Sequence, residues 1–278
     1  MANEAMRELW NSDAVGSWTE QRDRYDRQLA PYADLVVDVA EFNETDRILD
    51  VGCGTGALTR LAASHCPHGT ATGVDISRPF VDEARRASEG IANVHYLVAD
   101  VQTDELVPAE AVVSRFGVMF FDNPSAAFAN LHSITEPDGQ FTFVCWRGLL
   151  DNEWVTVPMG AALGIVGPPE PPAPGSPGPF AFESRNHLAF LLTEAGWADI
   201  TVEPDDRKLL LGGGLDAACA TDFVLGDVGF RQLLGDLDAD KKAAVREAVQ
   251  EALAPHETSD GVALQAGAWL VRAHCRND

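Results

Sequence analysis

Positive charge is scarce in this chain. Its 278 residues hold 20 Lys and Arg against 43 Asp and Glu, a formal net charge of −23. So acidic a surface repels phosphate-rich polymers and anionic head groups, which argues against nucleic acid and against a membrane as partners. A small neutral or cationic ligand meets no such barrier. Long apolar runs are missing too: none approaches the roughly 18 residues of a membrane span, and the most apolar stretches are broken by Asp38, Asp100 or Arg115. The opening MANEAMRELW puts Glu4, Arg7 and Glu8 where an export signal needs an unbroken apolar core, so a cytoplasmic protein is expected. Cysteine is sparse. Cys53, Cys66, Cys145, Cys219 and Cys275 are odd in number, widely spaced and without a CxxC pair, which speaks against a disulfide framework or a zinc site. The one compact group, His65-Cys66-Pro67-His68, lacks a second ligand pair and reads as a loop, so no metal is expected.

What is present is enough apolar material for a core, 46% of the chain with 23% charged. Residues 3–41 carry a helical pattern, with Trp10 read as helix packing and Trp18, Tyr25 and Leu29 set among charges. From Asp46 the period shortens. The runs 47–51, 71–74, 94–98 and 111–114 alternate with helical stretches at 58–64, 78–88 and 124–134, and this alternation predicts a parallel sheet. Pro137-Asp138-Gly139 turns the chain into a fifth strand, 141–146. Beyond it, 154–163 and 184–195 read as helices, 200–203 as a strand, 215–253 as helical and 261–272 as a closing strand. The proline tract 167–179 cannot be regular structure; it is either a stiff surface linker or part of a lid. One domain is expected: an N-terminal helical cap (1–45), a cofactor-binding core (46–147), and a lid with helices and closing strands (148–278).

The strongest motif is Ile48-Leu49-Asp50-Val51-Gly52-Cys53-Gly54-Thr55-Gly56-Ala57, a strand that runs into a glycine-rich turn and a helix. Three alternate glycines let the backbone turn tightly and let a ligand approach the main chain. The spacing Gly52-x-Gly54-x-x-Ala57 also satisfies the loose dinucleotide pattern, which keeps an NAD(P)-dependent oxidoreductase as an alternative. Two further carboxylates, Asp75 and Asp100, follow at equal separations, 75−50 = 25 and 100−75 = 25. Successive strand–helix units deliver all three acids to one sheet edge, where open α/β sheets bind ligands. Asp75 is placed for ribose hydroxyls and Asp100 for an adenine amino group. Asp50 would repel a dinucleotide's pyrophosphate but attract an ammonium, and so selects S-adenosylmethionine over NAD.

With these residues in view, the chain resembles class I S-adenosylmethionine-dependent methyltransferases of the broad type-11 group. Asp50 to Gly56 match the family's first motif, Asp75 its ribose acid and Ala99-Asp100-Val101-Gln102 its adenine-side motif, over about residues 46–147. The segments 114–121, 143–147, 261–264 and 268–271 are similar to bacterial members that act on small molecules, which suggests secondary metabolism. One departure is Asp138, where the family often has glycine; it is expected to affect turn stability. The resemblance implies a Rossmann-like seven-stranded sheet, its last strand antiparallel, with helices on both faces. It implies S-adenosyl-L-methionine as cofactor, S-adenosyl-L-homocysteine as product, and a small aromatic or apolar acceptor methylated on carbon, nitrogen or oxygen. Cofactor contacts are expected from Trp18, Tyr25, Asp50, Gly52, Cys53, Gly54, Thr55, Gly56, Asp75, Ile76, Asp100, Val101, Gln102, Arg115 and Phe116. Acceptor contacts are expected from Phe116, Met119, Trp146, Arg147 and Trp154. In-line methyl transfer is accelerated mainly by alignment and exclusion of water, so a base is not compulsory. Tyr25 is the weak catalytic candidate, with Asp151, Glu153 and His187 also in reach by topology. A monomer or homodimer is expected, and a non-catalytic cofactor-binding module stays as the second alternative.

Overall fold

The computed structural model describes residues 3–12, 16–168 and 175–276. Three helices, α1 (Glu4–Trp10), α2 (Gly16–Glu20) and α3 (Arg22–Val39), precede the sheet. Then β1 (Arg47–Val51), α4 (Ala57–His65), β2 (Thr70–Asp75), α5 (Arg78–Ala87), β3 (Val94–Val98), β4 (Ala109–Arg115), α6 (Pro124–Ile134) and β5 (Thr135–Trp146) alternate as the periodicity implies. Ser77 and Asn123 start α5 and α6 by accepting hydrogen bonds from the N–H groups of Phe80 and Ala126, each followed within two residues by a proline. The chain continues through α7 (Glu153–Val166), α8 (Arg185–Glu194), β6 (Ala198–Leu210), α9 (Ala217–Leu225), α10 (Val228–Leu234), α11 (Ala239–Leu253), the two-residue β7 (Glu257–Thr258) and β8 (Gly261–His274).

The strands lie in the order β3-β2-β1-β4-β5-β8-β6, with β7 paired to β8. β1 to β5 are parallel, and β8 runs antiparallel between β5 and β6. The order reverses between β1 and β4, which opens a crevice beyond their carboxyl ends. Ile48, Leu49 and Val51 on β1 and Val112 and Val113 on β4 are fully covered because helices close both faces. A second apolar cluster, Tyr25 with Phe223, Phe230, Val245, Val249 and Leu264, joins α3, α9, α10 and α11 beside the sheet.

Several boundaries depart from expectation. β5 starts at Thr135 because Pro137 to Gly139 form a bulge inside it rather than a turn before it, with the register skipping between Ala109 and Ala111. Asp138 takes a φ of 64° there, a conformation that favours glycine. β6 extends through the polar segment Pro204–Lys208; as the last strand of the sheet it tolerates proline and charge on its open edge. The expected helical run 215–253 is three helices, since Asp227 and Asp238 each accept a backbone N–H and start a new one. Part of the proline tract, 169–174, lies outside the described residues. At its far end Gly178 N–H donates to the Met119 carbonyl (3.1 Å) and joins the wall of the crevice. Among the described residues no helix is long and apolar enough to cross a membrane.

Candidate active site

The crevice is a cavity of about 500 Å³ at the carboxyl ends of β1, β2, β4 and β5. Asp50 is the penultimate residue of β1, and the turn after the strand places Gly52, Gly54 and Gly56 at φ of 66°, 53° and 81°. Gly52 is packed against Gly117 so closely that a Cβ on it would lie 2.6 Å from the Gly117 Cα, and one on Gly117 would lie 2.8 Å from the Gly52 Cα. Gly54 has open space on its Cβ side and lines the cavity.

Three carboxylates meet there as their spacing implied. Asp50 is buried and accepts the Thr59 hydroxyl (2.6 Å). Asp75 accepts the N–H groups of Gly54 (2.9 Å) and Ser77 (2.8 Å). Burial pushes both carboxyls up to about 6, outweighing the hydrogen bonds that favour the charged form. Asp100 is held by the Gln102 N–H (3.0 Å), Gln102 Nε2 (3.1 Å) and Asn3 Nδ2 (3.3 Å). Arg115, at the end of β4, faces Asp26 at 3.7 Å, while its Nη1 is buried without a hydrogen-bond partner among the described residues. Burial lowers the Arg115 pKa and raises that of Asp26.

The other end of the cavity is aromatic. Phe116 is a non-glycine residue at φ 61°, and its ring stacks on Trp146 at 3.8 Å. Trp154 lies 4.9 Å from Trp146, and Trp146 N–H donates to the Met119 sulfur (3.2 Å). On the N-terminal side Trp18 stacks on Tyr25 at 3.9 Å, and the Tyr25 hydroxyl donates to Asp227 Oδ2 (3.4 Å). The α1 end is tied to the loop after β2: Ser77 donates to the Trp10 carbonyl (2.6 Å), Asn11 Nδ2 to the Ile76 carbonyl (3.2 Å), and Arg78 N–H to Asn11 Oδ1 (3.0 Å).

Cys53, Thr55, Ile76 and Val101 also line the cavity, as do Trp18, Tyr25, Met119 and Trp154. Three expected residues do not. Gly56 starts α4 with its Cα against the Tyr96 ring, and Gln102 acts one step back by holding Asp100 and accepting the Asn123 N–H (2.5 Å). Arg147 is turned away because Trp146 takes the inward place on the strand; it pairs with Asp206 (2.7 Å) and Asp151 (2.9 Å) over the Trp269 ring. Asp151 is thereby engaged, Glu153 accepts the Gln265 N–H (3.0 Å), and His187 is exposed on α8. Trp10, read as packing, lines the cavity with its ring 5.0 Å from Phe120. Asp26, Phe223, Asp227 and Phe230 line it as well, and no sequence motif marks them as site residues. Only Asp227 carried a legible signal, as a capping residue after Gly226. Burial and the nearby Asp227 carboxylate push the Tyr25 phenol well above its ordinary range, which disfavours it as a free base. Among the described residues no cluster of three or more His, Cys, Asp or Glu is arranged to hold a metal.

An acidic, glycine-edged pocket at a sheet switch point, continuous with an aromatic chamber, suits a cationic nucleoside and an apolar second ligand. A family model described as a methyltransferase domain matches residues 48–139. The uncharacterized methyltransferase Rv0089 of Mycobacterium tuberculosis is 33% identical over 175 residues, covering 58% of this chain and 85% of that protein. Aklanonic acid methyltransferase DauC of a Streptomyces species is 28% identical over 144 residues, 48% of this chain and 65% of that protein. In fold, the crystal structure of YcgJ from Bacillus subtilis superposes with a TM-score of 0.58 at 16% identity, over 90% of this chain and 100% of that one. The chain belongs to the class I S-adenosylmethionine-dependent methyltransferases. S-adenosylmethionine is therefore its cofactor, and the oxidoreductase alternative falls.

Proposed function

We propose that this enzyme methylates a small aromatic acceptor in bacterial secondary metabolism, with the acceptor seated against Phe116, Trp146 and Trp154. The observation that carries the reading is the division of one cavity into an acidic end and an aromatic end. The donor set fits S-adenosylmethionine: Asp50 would face its ammonium, Asp75 its ribose hydroxyls, the Asp100 loop its adenine, and the orphan Arg115 Nη1 would find an acceptor in its carboxylate. Bound there, the cofactor supplies an electrophilic methyl group on a sulfonium. The chain's own part is to align and to dry the site. Gly54 admits the ligand to the main chain, the stacked Phe116 and Trp146 rings fix the acceptor's plane, and Trp10, Trp18 and Tyr25 exclude water from above. The Streptomyces relative is named as a methyltransferase of aklanonic acid, which supports a small-molecule acceptor.

Calorimetric titration with S-adenosylhomocysteine and with NADH tests the cofactor half: saturable binding of the first and none of the second is expected. Turnover with a panel of polycyclic aromatic acceptors tests the other half, and failure of every aromatic acceptor alongside turnover of an aliphatic one would reject it.

A further inference from the structure

The charged side chains of the cavity wall are Asp26, Asp50, Asp75, Asp100 and Asp227 against Arg115, among the described residues. That guanidinium faces Asp26 at 3.7 Å, and two cations outside the wall, Arg60 on Asp26 (3.5 Å) and Arg7 on Asp100 (3.9 Å), are likewise engaged by its carboxylates. An acceptor carboxylate would thus enter a poorly solvated chamber with a net negative wall and no free cation, where like charges repel far more strongly than in water.

A second observation is independent of charge. Tyr25 and Asp227 come from α3 and the start of α10, both outside the matched methyltransferase segment 48–139. Asp227 Oδ1 is fixed by the Gly229 N–H (3.1 Å), which leaves Oδ2 to take the Tyr25 proton. The Tyr25 ring is clamped between Trp18 (3.9 Å) and Phe223 (4.7 Å). With its only proton given to Asp227, the Tyr25 oxygen presents lone pairs, not a donor, to the cavity. A hydroxyl can donate to it. A carboxylate, with no proton to give, cannot.

Resting on the methyltransferase reading above, we infer that the acceptor is an uncharged aromatic hydroxyl, held by donation to the Tyr25 oxygen with Asp227 behind it, and not a carboxylate. The chain of donors also gives the proton a route. As the acceptor oxygen bonds to the methyl carbon, the carbon–sulfur pair stays with sulfur, the hydroxyl proton moves to Tyr25, and the Tyr25 proton moves to Asp227 and then to solvent. Burial raises the Asp227 pKa, which suits a carboxylate that must take a proton and release it.

The test uses the full-length protein at pH 7.5, with and without saturating S-adenosylhomocysteine, and three probes: 2-naphthol, 2-naphthoate and 2-methoxynaphthalene. Calorimetry should show 2-naphthol binding at least tenfold tighter than 2-naphthoate and at least threefold tighter than the methyl ether. Asp227→Asn keeps an oxygen to cap α10, and should shrink the naphthol-to-naphthoate ratio at least threefold. Tyr25→Phe keeps the ring stack, and should abolish the preference for naphthol over its ether. The inference is overturned if naphthoate binds as well as naphthol, if naphthol shows no saturable binding, or if neither substitution moves its ratio. Absence of S-adenosylhomocysteine binding would instead strike the cofactor reading, because the probe ratios are measured without it as well.

Discussion

Lowering the pH should weaken cofactor binding through Asp50 and Asp75. Burial holds both carboxyls at about 6 in the free protein, against an ordinary 3.8. A bound ammonium beside Asp50 and ribose hydroxyls on Asp75 favour the charged forms and should draw both back to about 4. At pH 7.5 both are already ionised and binding costs no proton. At pH 5.0 each is about 90% protonated in the free protein, so binding must expel about 1.6 protons from the pair, and affinity falls about tenfold per site. The pair amounts to about 100-fold, or about 2.7 kcal/mol. The same shifts bear on stability with the opposite sign. A carboxyl raised on folding favours the fold while neutral, so the apoprotein is penalised as pH climbs from about 4 through about 6, and the ligand recovers that loss. The cofactor-induced rise in melting temperature should therefore be larger at pH 7.5 than at pH 5.0. Calorimetric titration with S-adenosylhomocysteine at pH 7.5, 6.5 and 5.0, in buffers of different ionisation heat, gives both affinity and proton count. An affinity at pH 5.0 within threefold of that at 7.5, with no proton release, would refute the assignment of these two acids to the cofactor.

Asp75→Ala should weaken S-adenosylhomocysteine by about 1.5–3 kcal/mol while the protein stays folded by circular dichroism, since charge-assisted bonds are lost at a single strand end. Gly54→Val should abolish binding measured by calorimetry: a Cβ there meets no protein atom within 4 Å and so points into the cavity, at a strain cost of about 1–3 kcal/mol from the positive φ. Deleting residues 1–28 removes α1, α2, Trp18 and Tyr25, and should cut turnover much more than it lowers the melting temperature; full activity of the truncated protein would make these helices an appendage. Hydrogen exchange in α1, α2 and α7 should slow when cofactor product and acceptor are both present, while β1 and β4 change little.

The α/β half of the chain was legible because β-rich runs and capped helices alternate at a spacing that only a parallel sheet accommodates. The helix 124–134 falls where Pro124 and the apolar period put it, and the three acids reach one edge because each lies at or just beyond the carboxyl end of a short parallel strand. The second half was harder to read. Pro204 to Lys208 look like the end of a strand by composition, yet they continue β6, since an edge needs neither alternation nor every N–H. Asp227 and Asp238 could be recognised as caps, but nothing local says that the Asp227 cap also meets Tyr25, 202 residues away. Arg147 shows the limit of strand-end reasoning: adjacent positions face opposite ways, and Trp146 had already taken the inward one. Trp10 misled because a tryptophan on a short helix has the same pattern whether it faces a core or a ligand.

The bonds that join Trp10 and Asn11 to residues 76–78 set an order of events. The α1 end that covers the acidic end of the cavity is fastened to the very loop that follows Asp75, so a donor seated there should exchange only when that fastening opens. The aromatic chamber is walled by different elements, α7, α10 and the strip from Pro177 to Phe180, and can empty while the roof stays shut. If the donor does sit under that roof, it should bind first and its spent form leave last, with S-adenosylhomocysteine competing with the donor alone in product inhibition. An enzyme built so should answer in the cell to the donor-to-product ratio before it answers to the supply of its acceptor.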